Sequence, residues 1–121
     1  MQNELKTILY CRVANPDDEA IALQERTLRD YANKHGYENI TVYADNGFKG
    51  INFNRPAFSR LSNDIQSKTV DTVIVLNMSC LSRNTIDVYE WLDNIKRKGI
   101  SFISVVGDVP DVNVYDAIFE L

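Results

Sequence analysis

Apolar positions along the chain fall into two spacings. "TILYCRV" (7–13), "ITVYAD" (40–45), "VDTVIVLN" (70–77) and "ISFISVV" (100–106) are short, mostly continuous apolar runs rich in β-branched and aromatic residues. Such runs predict strands, the most continuous of them covered on both faces. Between them, apolar residues recur every three or four positions: Ile21, Leu28, Tyr31 and Ala32 within 19–35, Phe58, Leu61 and Ile65 after Pro56, and Val88, Leu92 and Ile95 within 84–98. Each stripe predicts an amphipathic helix. Gly36 and Gly99 stand where the first and third helices should stop, and Pro56 where the second should start. "NGFKGINFN" (46–54) predicts a loop.

The resulting β-α-β-α-β-α-β order predicts an α/β fold, a four-stranded and mainly parallel sheet with helices on both faces and right-handed crossovers. Residues 1–106 form one expected domain. In 107–121 a turn is followed by Val114, Ile118 and Leu121 on one edge, which predicts the start of a further helix, cut short and in need of a partner.

In parallel sheets, sites form outside the carboxyl ends of the strands, here 12–18, 44–50, 77–84 and 106–110. Three arginines fall at those ends: Arg12 closes the first strand, Arg55 leaves the glycine-containing loop, and Arg83 follows the third strand in "CLSRN". Guanidinium groups suit bidentate contact with phosphate oxygens, so their convergence predicts an anion site. Taken singly, each has a plainer reading: Arg12 paired with a nearby carboxylate, Arg55 and Arg83 solvated. Cys11 should point to the sheet face opposite Arg12 and pack as a core thiol. Ser82 is expected to cap the third helix, Asp17, Asp18 and Glu19 to favour the start of the first, and His35 to sit at the surface or at a cap. "NGFKG" lacks the ending of a phosphate-cradling P-loop. The acidic trio does not make a phosphorylatable pocket, because Asn77 stands where the third strand would need an aspartate.

Composition narrows the field further. At 121 residues, with 45% hydrophobic and 25% charged, the chain has room for one core and is not a disordered segment. A net charge of −4 argues against tight DNA binding by this segment alone. Two cysteines and one histidine are too few for a disulfide scaffold or an ordinary zinc site. No run approaches the roughly 20 apolar residues that span a bilayer, and "MQNELKT" is unlike a secretory signal. The expectation is a cytoplasmic protein with reduced thiols and no membrane association.

The ordered set Y-x-R-V (10–13), Q-x-x-x-L-x-x-Y-A (24–32), Y-x-D-x-G (43–47), R-P (55–56), D-x-V-I-V (71–75) and L-S-R-N (81–84) resembles the catalytic domain of the serine recombinases, the family of resolvases, invertases and large serine integrases. The resemblance runs from about residue 7 to 106 and implies a domain that cuts DNA by serine attack on a phosphodiester, leaving a 5′-phosphoseryl link and a free 3′-hydroxyl, with no metal or nucleotide cofactor. It implies that Arg12, Arg55 and Arg83 hold the scissile phosphate, that Gln24 is a polar residue of the same site, and that Asp45 is its acid after Tyr43. It also implies a long helix after the domain for contacts with a second copy or a recombinase partner, followed by a separate DNA-binding module.

The nucleophile of that pattern would follow R-V directly, where Ala14 stands. Alanine has no nucleophilic atom. The family's D-R-L-S-R reads S-C-L-S-R, so that Ser79 and Cys80 replace an acid and an arginine, and its S-G reads Lys49-Gly50. Four polar positions have changed while the core stripes stay in order, which favours natural loss of the chemistry over a laboratory substitution. Cys80, with arginines nearby, is a conceivable thiolate but would reach phosphorus along a different line. The leading expectation is a resolvase-like recombinase domain without strand-cleaving activity. The alternatives are a non-enzymatic module that pairs with and regulates an active recombinase, and a doubly wound module that binds a small anion.

Overall fold

The first strand is buried from Thr7 through Arg12, so apolar side chains are needed on both of its faces and the usual alternation is lost. In the computed structural model, which describes residues 5–50, 53–82, 84–107 and 109, the elements run β1 (Lys6–Val13), α1 (Asp18–Lys34), β2 (Ile40–Asn46), α2 (Pro56–Gln66), β3 (Val70–Val75), a short 3₁₀ turn (Met78–Cys80), α3 (Thr85–Arg97) and β4 (Ser101–Ser104). All pairings are parallel and the strand order is β2-β1-β3-β4. The expected α/β architecture is the observed one. β4 is shorter than the apolar run that predicts it, although Val105 and Val106 still donate to the carbonyls of Val75 and Leu76.

The helices divide between the faces as right-handed crossovers require when the chain first steps outward to β2 and then back past β1 to β3 and β4. Leu9, Cys11 and Ile74 face α1, packing with Leu28 and Ala32. Ile8, Tyr10, Val73 and Val75 face the other way, against Phe58, Leu61 and Ile65 of α2 and Val88, Leu92 and Ile95 of α3. The period of two along β1 therefore puts Tyr10 and Arg12 on the α2–α3 face and Cys11 beneath α1, as expected for a core thiol. Burial pushes the Cys11 thiol up to about 12.

Helix ends follow local chemistry. The Asp17 side chain accepts from Ala20 N at 3.1 Å and caps α1, whose first turn carries Asp18 and Glu19. His35 is the exposed C-cap, its ring 4.0 Å from that of Tyr31. Gly36 and Gly99 follow the caps of α1 and α3 with φ of 76° each. α2 ends without glycine: Lys68 takes the left-handed conformation itself, φ 60°, while Thr69 N bonds back to Asp64 O at 3.2 Å. Ser82 is not the cap of α3. Asn84 is, accepting from Ile86 N and Asp87 N, and Ser82 stands two residues earlier, accepting from Asn84 N at 3.0 Å. Asn84 wins because it immediately precedes the first helical residue, where its carbonyl oxygen can meet the free N–H groups of the opening turn.

Candidate active site

With this strand order the chain reverses its direction of travel between β1 and β3, and the crevice beyond their carboxyl ends is where a site is expected. Arg12, the penultimate residue of β1, points across that crevice to the 3₁₀ turn that follows β3. Its Nε donates to Cys80 O at 3.2 Å, its Nη2 to Ser79 O, and its Nη1 to Phe48 O at 2.7 Å from the loop after β2. The side-chain partners of Arg12 are thus backbone carbonyls and not the carboxylate that a plain surface pairing would supply. The group is only 8% exposed.

Arg55 arrives from the other side, at the N-cap of α2. It is 2% exposed; its Nη1 donates to Tyr10 Oη at 2.9 Å and to Cys80 O at 3.1 Å, and its Nη2 donates to Leu81 O. It is therefore not the solvated side chain of the plainer reading. Two guanidinium groups separated by 43 positions meet on one carbonyl oxygen, that of Cys80. Arg55 also lies 5.0 Å from the ring centroid of Phe58, 5.6 Å from Phe53 and 5.8 Å from Tyr10, an aromatic lining that attracts a cation through ring quadrupoles. Burial, with the neighbouring charge of Arg12 adding to it, pulls its pKa down.

Asp45 sits beside Arg12 in register on β2 but is 1% exposed and spoken for. Its carboxylate accepts from Tyr10 Oη at 2.6 Å, from Ala57 N at 2.8 Å and from Phe58 N at 3.0 Å. It therefore caps α2 from a neighbouring strand, a place its sequence position does not advertise, and anchors a chain Asp45–Tyr10–Arg55–Cys80. Burial, and then the bond to Asp45, raises the Tyr10 pKa far above its ordinary value, so the phenol stays a donor.

Gln24 reaches in from α1 and grips the backbone of Arg12 twice, accepting from its N–H at 3.1 Å and donating to its carbonyl at 2.9 Å. It holds the end of β1 two residues before Ala14, which is half-buried in the bend that follows. Cys80 is 3% exposed, its Sγ 3.8 Å from Gln24 Oε1 and 3.7 Å from Asn77 Oδ1. The Ser79 hydroxyl is exposed and bonds to Asn77 Oδ1. Arg83 lies outside the described residues, as does the tail from 110 onward.

Of the candidate residues, the structure gathers Arg12, Arg55, Gln24, Asp45, Ser79 and Cys80 around the β1–β3 crevice, with Ala14 on the chain leaving β1. Tyr10, Phe48 and Gly50 join them without having been singled out. The signal for Tyr10 was its place two residues before Arg12 on one strand face. Phe48 acts through a main-chain carbonyl, which leaves no mark in a residue pattern, whereas Gly50 was visible as the glycine that the family's S-G places after Lys49. Among the described residues no group of three or more His, Cys, Asp or Glu side chains could hold a metal ion, and no helix is long and apolar enough to cross a membrane.

A parallel sheet with guanidinium groups gathered at its switch point defines a class of domain suited to phosphoryl chemistry. Within that class, the model of the family described as "Resolvase, N terminal domain" matches residues 7–119, and the chain belongs to this family of serine recombinases. It is similar to the N-terminal catalytic domain of TP901-1 integrase, with a TM-score of 0.75 and 36% identity over 83% of this chain and 77% of that one. It is also similar to a resolvase family site-specific recombinase from Streptococcus pneumoniae (TM-score 0.75, 27% identity, 97% and 87% covered). Against a resolvase of Clostridium perfringens it is 29% identical over 96 residues, 79% of this chain and 47% of that protein. Of a further curated relative, from Bacillus subtilis, it spans 15%.

Proposed function

We propose that this resolvase-like domain keeps the phosphate-holding frame of a DNA recombinase and has lost its strand-cleaving chemistry. The observation that carries the reading is the meeting of Arg12 and Arg55 on the Cys80 carbonyl at the switch point, with Ala14 two residues beyond Arg12. In the family's reaction a serine oxygen forms a bond to phosphorus, the bond from phosphorus to the 3′ oxygen breaks, the serine gives up its proton and the leaving oxygen takes one. Arginines spread the charge of the phosphoryl group, a contribution from positioned donors of several kcal/mol (about 3–4 per donor). At position 14 a methyl group cannot take the first step, and Ser79 and Cys80 supply neither the acid nor the guanidinium that the family pattern places there. Cys80 does not stand in as nucleophile: its thiol is buried beside Gln24 and Asn77. Arg83 completes the proposed phosphate-binding set. DNA is the partner, engaged through another module or subunit because the domain carries a net charge of −4.

Reconstruction tests the reading. Ala14→Ser with Ser79→Asp and Cys80→Arg, fused to a dimerising helix and a DNA-binding module, is expected to give covalent protein–DNA adducts on a nicked suicide substrate, and Ala14→Ser alone to give few. A folded triple variant that bound its site and formed no adduct would refute simple loss of chemistry.

A second reading, pairing with an active recombinase, is favoured by one feature. Six large hydrophobic residues among those described are exposed, and five (Leu23, Phe48, Ile86, Val106 and Val109) lie in loops after strands or in the opening turns of α1 and α3. Recovery of a stoichiometric complex with a recombinase from the same genome supports this role; its absence at micromolar concentrations refutes it.

A further inference from the structure

Arg12 is enclosed from two directions. The loop after β2 folds back over the end of β1, with Gly47 N and Phe48 N both donating to Val13 O at 3.0 and 3.1 Å. From that position Phe48 O takes Nη1 of Arg12, and Gly50 O accepts from Ser82 Oγ at 3.3 Å, tying the far end of the loop to the start of α3. On the opposite side the 3₁₀ turn presents the carbonyls of Ser79 and Cys80 to Nη2 and Nε. All three guanidinium nitrogens are therefore engaged by backbone oxygens.

Gly50 makes the closure possible. It is buried, and its φ is outside the left-handed region, so backbone freedom is not what glycine supplies. Space is: a Cβ there would stand 2.9 Å from Arg12 Nη2, closer than side chains approach, and a tight 3.2 Å from Cζ, so the guanidinium would have to move aside.

We propose that the 47–50 loop and the Ser79–Cys80 carbonyls form a latch that withholds Arg12 from anions in the free domain, and that Gly50 is the positioning residue that lets the latch close. The inference rests on the reading of Arg12 as a phosphate-binding group and adds how access to it is controlled. Carbonyl acceptors are neutral, whereas a phosphodiester adds the attraction of opposite charges and two oxygens that a guanidinium can meet in bidentate fashion. A phosphodiester that reached the group would thus replace the carbonyls readily. What holds the latch is enclosure by two tied segments, the loop after β2 and the 3₁₀ turn.

Arginine-selective modification of the full chain by phenylglyoxal, read by peptide mapping, tests this, with the exposed Arg26 as internal reference. Arg12 is expected to react about tenfold or more slowly than Arg26 in the unaltered chain, because reaction must wait for local opening. Gly50→Ala displaces the guanidinium and should bring Arg12 to within about threefold of Arg26, while Ser82→Ala, which unties Gly50 and also removes the acceptor of Asn84 N ahead of α3, should give an intermediate rate. The latch is refuted if Arg12 already reacts as fast as Arg26 in the unaltered chain, or if protection persists in both variants while their Trp91 fluorescence shows them folded. Should Gly50→Ala fail to fold, Ser82→Ala decides alone. Inorganic phosphate separates the two readings: if Arg12 becomes reactive in the variants but phosphate does not slow its modification, the latch stands and the phosphate-binding assignment falls.

Discussion

Replacing Asp45 by asparagine should show that this residue holds the fold as well as the site. The carboxylate takes three buried hydrogen bonds, one oxygen serving Tyr10 Oη and Phe58 N and the other serving Ala57 N. An amide that keeps the first two partners on its oxygen must aim its NH₂ at the Ala57 N–H, donor against donor. Leaving that N–H unsatisfied costs roughly 1–3 kcal/mol. Losing a negative charge at the start of α2 adds about 0.3–1 kcal/mol, and up to about 2 at a partly buried site. Asp45→Asn is thus expected to destabilise the domain by about 2–4 kcal/mol, a large part of the roughly 5–15 kcal/mol of a typical domain. At about 4 °C per kcal/mol for a chain of this size, the melting temperature should fall by about 8–16 °C. Urea unfolding followed by circular dichroism and by fluorescence measures it directly, since the single tryptophan, Trp91, packs 5.5 Å from Phe58 in the helix that Asp45 caps. Tyr10→Phe removes the link between Asp45 and Arg55 and should cost about 1–2 kcal/mol. The double variant should show a coupling above about 0.5 kcal/mol, as members of one network do. A loss under about 0.5 kcal/mol for Asp45→Asn with an unchanged m-value, or strict additivity with Tyr10→Phe, would refute the network.

Two other outcomes follow from single atoms. Burial moves the Cys11 thiol from 9.0 up to about 12, so the unfolded chain ionises first and the stability present below 9.0 declines as pH rises toward 12. Tyr43, raised to about 12 mainly by its bond to Asp64, and Tyr10 act only above 10.0, so Cys11→Ala should flatten the decline between 9 and 10 in pH-dependent urea midpoints; an unchanged slope contradicts the assignment. Gly47 has φ of 94° and a Cβ there would meet Pro16 Cγ at 2.7 Å, whereas a Cβ on Gly36 (φ 76°) meets nothing within 4 Å. Gly47→Ala should therefore cost at least about 1 kcal/mol more than Gly36→Ala, whose penalty is the left-handed conformation alone at about 1–2 kcal/mol; equal losses in thermal unfolding would show the contact to be yielding.

Local patterns announced the four strands and three α-helices of the described residues, though not the 3₁₀ turn, because each depends on the spacing of neighbouring apolar residues and on glycine, proline or aspartate at the ends. They failed where the deciding partner is remote. Ser82 had the chemistry of a cap but not the position, and the end of α2 carries no glycine because Lys68 accepts the left-handed turn. The arginines could be named as a set that should meet, but not what they meet: the oxygen between Arg12 and Arg55 is a main-chain atom of a residue 68 positions from one and 25 from the other.

By itself, the order of residues determined the succession of elements, the parallel sheet, the burial of Cys11 and the methyl side chain at position 14, since all of these are set by side-chain identity and short-range periodicity. The strand order, the capping of α2 by Asp45 from β2, the grip of Gln24 on the Arg12 backbone and the close approach of Gly50 were decided only in three dimensions. The physical reason is that each joins segments far apart in sequence, so it exists only once the crossovers have brought them together, and a guanidinium or carboxylate then takes whichever backbone donors and acceptors that packing leaves within reach.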